Sequence, residues 1–312
     1  MKKILITGYD GFIGRNLINA LKGYRLIGVG LKNENLVDEH LSWSEIDELN
    51  NVDCIIHLAG KAHYSGSNKN FKEYYDVNFG LTKQIFNVFV KSNAAKFIYF
   101  SSVAAITDSL QSDEILTEAI FANPTTHYGK SKLAAENYIN DQTLPEGKQV
   151  YILRPSMVHG PGNKGNLPML FKYIQKGFPW PFGAYKNNRT FTYIGNLIFI
   201  IQQLIERNIE QGTYQVVDDE AVSTNDLVQI IAESLNKPVR TWNISPFIIN
   251  LLMKVGDFFV LPISSFHIKK LTTSFEISNK KIKNALSIEK MPFQALDGLK
   301  KSIKELINGA QE

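Results

Sequence analysis

Three glycines spaced three residues apart, Gly8–Tyr9–Asp10–Gly11–Phe12–Ile13–Gly14, follow directly on the apolar run Lys3–Thr7 and lead into residues with helical spacing. Few folds accommodate that order. The first glycine permits a tight turn, the second lets phosphate oxygens approach the backbone, and the third lets the next helix pack closely on the strand. A pyrophosphate then rests on the positive end of that helix. The strand–turn–helix context gives the motif its weight and predicts an α/β chain that holds a dinucleotide.

Further short runs rich in Ile, Val, Tyr and Phe occur at Arg25–Gly30, Asp53–Ala59, Lys96–Ser102, Gln149–Pro155 and Thr213–Asp218. Several lack apolar/polar alternation, as expected of parallel strands covered on both faces. Helical stripes lie between them: Ile13, Leu17 and Leu21, then Val77, Leu81, Ile85 and Val88, and later Asn196–Arg207. Such alternation predicts a doubly wound parallel sheet of Rossmann type. Beyond Pro155 the texture changes. Residues 160–190 carry Gly160, Gly162, Gly165, Gly177 and Gly183 with Pro161, Pro179 and Pro181 and read as loop-rich, and helical patterns dominate from Ser223. The expected organisation is a dinucleotide-binding core over 1–160, rejoined by about 190–218, with a smaller C-terminal substrate-binding lobe from 161–189 and 219–312.

The 312 residues carry a net charge of only +4. The basic residues are scattered, densest at Lys280–Lys281–Ile282–Lys283, which argues against nucleic acid as the main partner. The single cysteine, Cys54, lies in an apolar run and can form no disulfide within the chain, in keeping with a reducing compartment. The apolar run at the N-terminus is too short for a secretory signal, and the stretch from Pro246 to Phe266 is interrupted by Lys254, Asp257 and Pro262, so a buried helix is expected there rather than a membrane span. These features predict a cytoplasmic protein without metal ligands or stable membrane insertion.

Of thirteen tyrosines, only Tyr128 has a lysine four residues later, Lys132, on the same face of a helix. A nearby ammonium stabilises a phenolate and lowers a pKa that starts at about 10. Tyr128 can then exchange a proton with a substrate hydroxyl or ketone while hydride moves to or from a cofactor. The pair lies downstream of Phe100–Ser101–Ser102–Val103, at a strand end on the carboxyl edge where open α/β sheets bind ligands.

Thr7 to Gly14 match at every fixed position the T-G-x-x-G-F-I-G turn of the extended short-chain dehydrogenase/reductases, and the chain resembles that family. His57–Leu58–Ala59–Gly60 and Asn78 resemble further family segments, from the N-terminus to about Pro155. The resemblance implies that Ser102, Tyr128 and Lys132 are catalytic. It implies a cofactor held by Gly8, Gly11, Phe12, Ile13, Gly14, Leu58, Ala59, Gly60, Asn78, Ser101, Tyr128, Lys132 and Pro155. No acid ends the second strand to grip the adenosine ribose of NAD. The sequence gives Val29–Gly30–Leu31–Lys32 instead, and Lys32 facing a 2′-phosphate tips the expectation to NADP(H) over NAD(H).

The second half resembles nucleotide-sugar epimerases and reductases of the UDP-sugar 4-epimerase type. Leu153–Arg154–Pro155 with Gly160–Pro161–Gly162 resembles the start of their substrate loops. Asn166–Leu167 and Arg189, in Arg189-x-Phe191-x-Tyr193, resemble the elements that touch the nucleotide diphosphate. Arginine suits this task because its fork matches phosphate oxygens; Lys269 or Lys270 is the candidate for a second cation. Val103 and Ala104 stand where sugar dehydratases carry an acid and a base, which excludes dehydration. The expected reaction is hydride transfer at C4 of a nucleotide sugar: reduction of a UDP-4-keto-6-deoxy-N-acetylhexosamine for surface polysaccharide first, 4-epimerisation of a UDP-hexose or UDP-N-acetylhexosamine second. A non-catalytic NADPH-binding regulator and a reductase of a non-nucleotide ketone rank lower, because the Tyr–Lys pair is retained and Arg189 and Asn166 suit a diphosphate. The resemblance also implies a homodimer through the helices holding 78–90 and 128–138.

Overall fold

A computed structural model of the chain describes residues 1–31, 35–62, 71–111, 114–163, 165–249, 251, 268 and 271–309. Lys32, Lys269 and Lys270, and most of the stretch 246–266, lie outside the described residues. Seven parallel strands form the central sheet: β1 (Lys3–Thr7), β2 (Arg25–Val29), β3 (Glu39–Leu41), β4 (Cys54–His57), β5 (Lys96–Phe100), β7 (Gln149–Pro155) and β10 (Gly212–Val216), in the order β10-β7-β5-β4-β1-β2-β3; the short β6 (Ile115–Leu116) and α2 (Phe71–Tyr75) lie outside it. The order reverses between β1 and β4, and that switch point is where such sheets bind ligands.

The continuous apolar runs are explained by what covers them. Alternate residues Ile4, Ile6, Cys54, Ile56, Ile98, Phe100, Tyr151 and Leu153 join one core with Leu17 of α1 (Phe12–Ala20) and Leu197, Ile200, Ile201 and Leu204 of α6 (Ile194–Glu206). Their neighbours Leu5, Ile27, Val29, Ile55, Phe97, Tyr99, Val150 and Ile152 join a second core with Ile85, Phe86 and Phe89 of α3 (Leu81–Lys91) and Ala135 and Ile139 of α4 (His127–Asn140). Both faces of the sheet are therefore dry, and removing a polar alternation costs nothing.

Beyond β7 the chain builds β8 (Met157–His159), α5 (Asn166–Gln175) and β9 (Arg189–Tyr193); α6 then returns it to the sheet at β10. The segment read as loop-rich thus contains a ten-residue helix. A third core joins Leu167 and Phe171 of α5, Trp180, Leu227 and Ile231 of α7 (Thr224–Ser234), and Leu299 and Ile303 of the helix Ala295–Asn308. Ser156 couples this part to the sheet: its hydroxyl donates to the Thr190 carbonyl at 2.8 Å, and its N–H donates to Thr192 Oγ1 at 3.1 Å. The strand that starts with Arg189 is thereby held at the carboxyl edge of β7. Among the described residues no helix is long and apolar enough to cross a membrane, and no cluster of side chains is arranged to hold a metal ion.

Candidate active site

The glycine turn sits where β1 ends. Gly8 has φ +68°, a left-handed conformation that disfavours a side chain, and a Cβ there would stand 2.8 Å from Ala59 N. The turn and Leu58–Ala59–Gly60 after β4 are therefore in direct contact. A Cβ on Gly14 would lie 2.6 Å from the Gly8 carbonyl oxygen, so the helix is wound tightly on the turn. Gly11 is the N-cap of α1, and no side chain caps that helix. Its first amides remain at the positive end of the helix dipole, and the residues present fit a dinucleotide pyrophosphate. Phe12 and Ile13 pack against the first core, and Phe12 reaches towards Gly160.

Below the turn a chain of buried hydrogen bonds fixes the ends of β1 and β4. Thr7 Oγ1 and His57 Nδ1 are 2.6 Å apart, His57 Nε2 and Thr82 Oγ1 are 2.9 Å apart, and Thr82 donates to the Asn78 carbonyl at 2.6 Å. Burial, with the Lys132 charge adding to it, pushes the His57 pKa well below its ordinary value. His57 is a neutral tie between strands. Asn78 is buried in a π-helical turn, Asp76–Gly80, where its amide donates to Ser131 Oγ at 2.9 Å and accepts from Lys61 N–H at 2.7 Å. A Cβ built on Gly60 would meet Asn78 Oδ1 at 2.9 Å and Lys132 Nζ at 3.2 Å, so these three residues converge.

Tyr128 and Lys132 lie on α4, whose N-terminus is firmly anchored. Thr126 caps it, accepting from Gly129 N–H at 3.1 Å, and Asp108 accepts hydrogen bonds from the amides and hydroxyls of Thr125 and Thr126. A Cβ on Gly129 would stand 2.2 Å from the Ala104 carbonyl oxygen. The missing side chain lets the first turn of α4 seat on the short 3-10 turn Val103–Ala105, which follows Ser102. That seat brings the Ser102 hydroxyl to the Tyr128 phenol. Gly129→Ala should therefore move Tyr128 away from Ser102 and lower turnover about 10²-fold, the effect of a misplacement of about 1 Å. Steady-state kinetics on a protein with an unchanged circular-dichroism spectrum checks this, and wild-type turnover refutes it.

The electrostatics differ from the simplest expectation. The half-buried Tyr128 has its pKa raised, chiefly by burial and further by Tyr74, while the Ser102 hydrogen bond opposes the rise. Lys132 is not the group that lowers it. The lysine Nζ donates to the Phe100 carbonyl at 2.7 Å and stands 5.0 Å from the centre of the Tyr99 ring. Burial pushes the Lys132 pKa down to about 8, opposed by Glu136. Glu136, one helical turn beyond Lys132, is 1% exposed and takes a forked ion pair from Arg154 of β7, with Nε 3.0 and 3.2 Å from its two oxygens. Ser101 donates its hydroxyl to the same carboxylate. Sequence reading passed over Glu136, although its spacing of four from Lys132 was the available signal. Pro155 ends β7 opposite Val216.

The expected substrate contacts lie on other elements. Asn166 is the first residue of α5, and Leu167, 2% exposed, belongs to the third core. Arg189 opens β9; its Nη1 donates to the Thr273 carbonyl at 2.9 Å, and its guanidinium lies 5.6 Å from the centre of the Phe275 ring. Partial burial lowers its pKa from the ordinary arginine value.

The description "NAD dependent epimerase/dehydratase family" belongs to the family model that matches residues 4–217. The chain is 30% identical over 260 residues to the UDP-glucose 4-epimerase of Vibrio cholerae, covering 78% of each chain. It is 27% identical over 266 residues to the N-acetyl-alpha-D-glucosaminyl-diphospho-ditrans,octacis-undecaprenol 4-epimerase of Escherichia coli O157:H7, covering 80% of this chain and 77% of that one. Among solved structures it resembles MoeE5 in complex with UDP-glucose and NAD, with a TM-score of 0.78 at 20% identity over 99% of both chains.

Proposed function

The chain belongs to the NAD dependent epimerase/dehydratase family, and from that premise we propose that it is a UDP-sugar 4-epimerase acting on a UDP-hexose or UDP-N-acetylhexosamine. The observation that carries this reading is the Ser102–Tyr128 hydrogen bond beyond the carboxyl end of β5, with Lys132 one helical turn further along α4, in a chain that shares 30% identity with a UDP-glucose 4-epimerase. The relatives favour 4-epimerisation over the reductase expected first, and the NAD bound by MoeE5 supports NAD(H) where the sequence had suggested NADP(H).

Bound NAD supplies a hydride acceptor that becomes the donor for the return step. In the proposed reaction Tyr128 takes the proton from the sugar 4-hydroxyl and later returns it, while Ser102 holds the same oxygen by a hydrogen bond. Lys132, one helical turn beyond Tyr128, lines the cofactor side with Gly60 and Asn78. Arg189 and Asn166 hold the diphosphate, and the residues of 161–189 and 219–312 form the substrate lobe. Gly8, Gly11 and Gly14 hold the dinucleotide, and Val103 and Ala104 leave no acid–base pair for water elimination. Two copies pair through α3 and α4 in this reading.

The test is incubation of the purified chain with UDP-glucose and with UDP-GlcNAc, without added reductant, followed by chromatographic separation of the 4-epimers. Interconversion over many turnovers is the expected result. A parallel incubation of a UDP-4-keto-6-deoxy-N-acetylhexosamine with NAD(P)H that consumes one NAD(P)H per sugar, with no epimer formed in the first incubation, would establish the reductase instead.

A further inference from the structure

The carboxyl end of β2 lacks the acid that grips the adenosine ribose in dinucleotide-binding folds, a residue placed about 20 positions beyond the glycine turn. Strand β2 ends at Val29, and Gly30 follows it. The space beside it is filled from elsewhere: a Cβ built on Gly30 would stand 3.0 Å from the Tyr9 ring and 3.3 Å from Asp10 Oδ1. Asp10 is part of the glycine turn, and several contacts hold it at this strand end. Gly8 N–H donates to the Val29 carbonyl at 2.8 Å, and Arg15 Nε donates to the Asp10 carbonyl at 2.9 Å. The fully buried Tyr9 ring would also collide with a Cβ on Gly28, and its hydroxyl is 2.9 Å from His40 Nδ1 on β3. Tyr9 thus lies against two glycines here, Gly28 within β2 and Gly30 just past its end, and a carboxylate oxygen of the neighbouring turn, Asp10 Oδ1, stands beside Gly30.

We propose that Asp10 is the residue that selects the dinucleotide, its carboxylate accepting hydrogen bonds from the adenosine ribose hydroxyls and repelling a 2′-phosphate, so that the chain takes NAD(H) in preference to NADP(H). The inference rests on the family reading that a dinucleotide occupies the glycine turn, and it is independent of which sugar reacts. Two cations argue for the other outcome. Arg15, one turn into α1, is exposed, so its attraction for a phosphate is screened by water, and its Nε is committed to the Asp10 backbone. Lys32, on which the expectation of NADP(H) rested, lies outside the described residues. Selectivity follows the difference between the two dinucleotides rather than the affinity of one, and a carboxylate beside Gly30 bears on that difference directly.

The test uses the full chain and reads binding without turnover. The dinucleotide that co-purifies is identified by mass after denaturation, and NADH and NADPH are titrated by calorimetry against the wild type, Asp10→Asn and Arg15→Ala. The wild type should carry NAD(H) and bind NADH about tenfold or more tightly than NADPH. Asp10→Asn, which keeps the shape and removes the charge, should narrow that ratio about fivefold or more, mainly by gaining NADPH affinity, and Arg15→Ala should leave it nearly unchanged. A wild type that prefers NADPH, or an Asp10→Asn ratio equal to that of the wild type, overturns the proposal. Binding of neither dinucleotide overturns the cofactor site and the proposal with it. Selectivity lost in Asp10→Asn from a wild type that epimerises no UDP-sugar supports the role of Asp10 and rejects the proposed reaction alone.

Discussion

Tyr128→Phe should reduce turnover about 10²–10⁴-fold, the range general acid–base groups contribute, while the protein melts within a few degrees of the wild type. The substitution removes one oxygen and keeps the ring, whose edge-to-face contact with Tyr74 at 6.4 Å between centroids needs no hydroxyl. What is lost is the hydroxyl proposed to exchange the proton, which is also the hydrogen-bond partner of Ser102. Burial raises the phenol pKa, which favours the protonated form that returns a proton to a 4-keto sugar. The checks are the initial rate of UDP-sugar epimerisation and the UDP affinity from calorimetry. A rate within about tenfold of wild type would remove Tyr128 from the chemistry; lost UDP affinity with lost rate would make its role one of binding.

The second large effect is on stability. Arg154→Met strips Glu136, 1% exposed, of its forked partner and leaves it the Ser101 hydroxyl and the Lys132 ammonium. Removing one member of a buried ion pair costs about 3–5 kcal/mol because the remaining charge is uncompensated. The double variant Arg154→Met with Glu136→Met removes both charges, and its loss should be smaller than that of the single change. Urea unfolding of the wild type, both single variants and the double variant measures the coupling. If the double variant is the least stable of the four, the pair is worth more than its desolvation cost, and this account of it fails.

How far the sequence was legible depended on what each segment has to bury. Strands such as Lys3–Thr7 and Gln149–Pro155 were readable to the residue because both faces are covered, which forces unbroken apolar runs. The short strands Glu39–Leu41 and Met157–His159 offered three residues each, one or two of them polar, and no run to detect. Helix Asn166–Gln175 was hidden by its own punctuation. Gly165 is its N-cap and Gly177, at φ +76°, lies just past its C-cap, so glycines that read as loop are helix ends. In the site, the order of Gly8, Gly11, Gly14, Ser102, Tyr128 and Lys132 could be seen in one dimension. The Glu136–Arg154 pair and the approach of Asp10 to Gly30 depend on packing between distant elements, which no local spacing encodes.

The late return of the chain to β10 has a consequence for its synthesis. Strand β7 ends at Pro155, and its outer partner begins only at Gly212. At about 5–20 residues per second, the 56 residues between them take roughly 3–11 s to translate. Throughout that interval a seven-residue strand, six of its residues destined for burial, is an open edge on a nascent domain. Such an edge is a template for pairing with other chains. Translation that stalls between residues 156 and 211 should therefore yield aggregates rather than a soluble half-molecule.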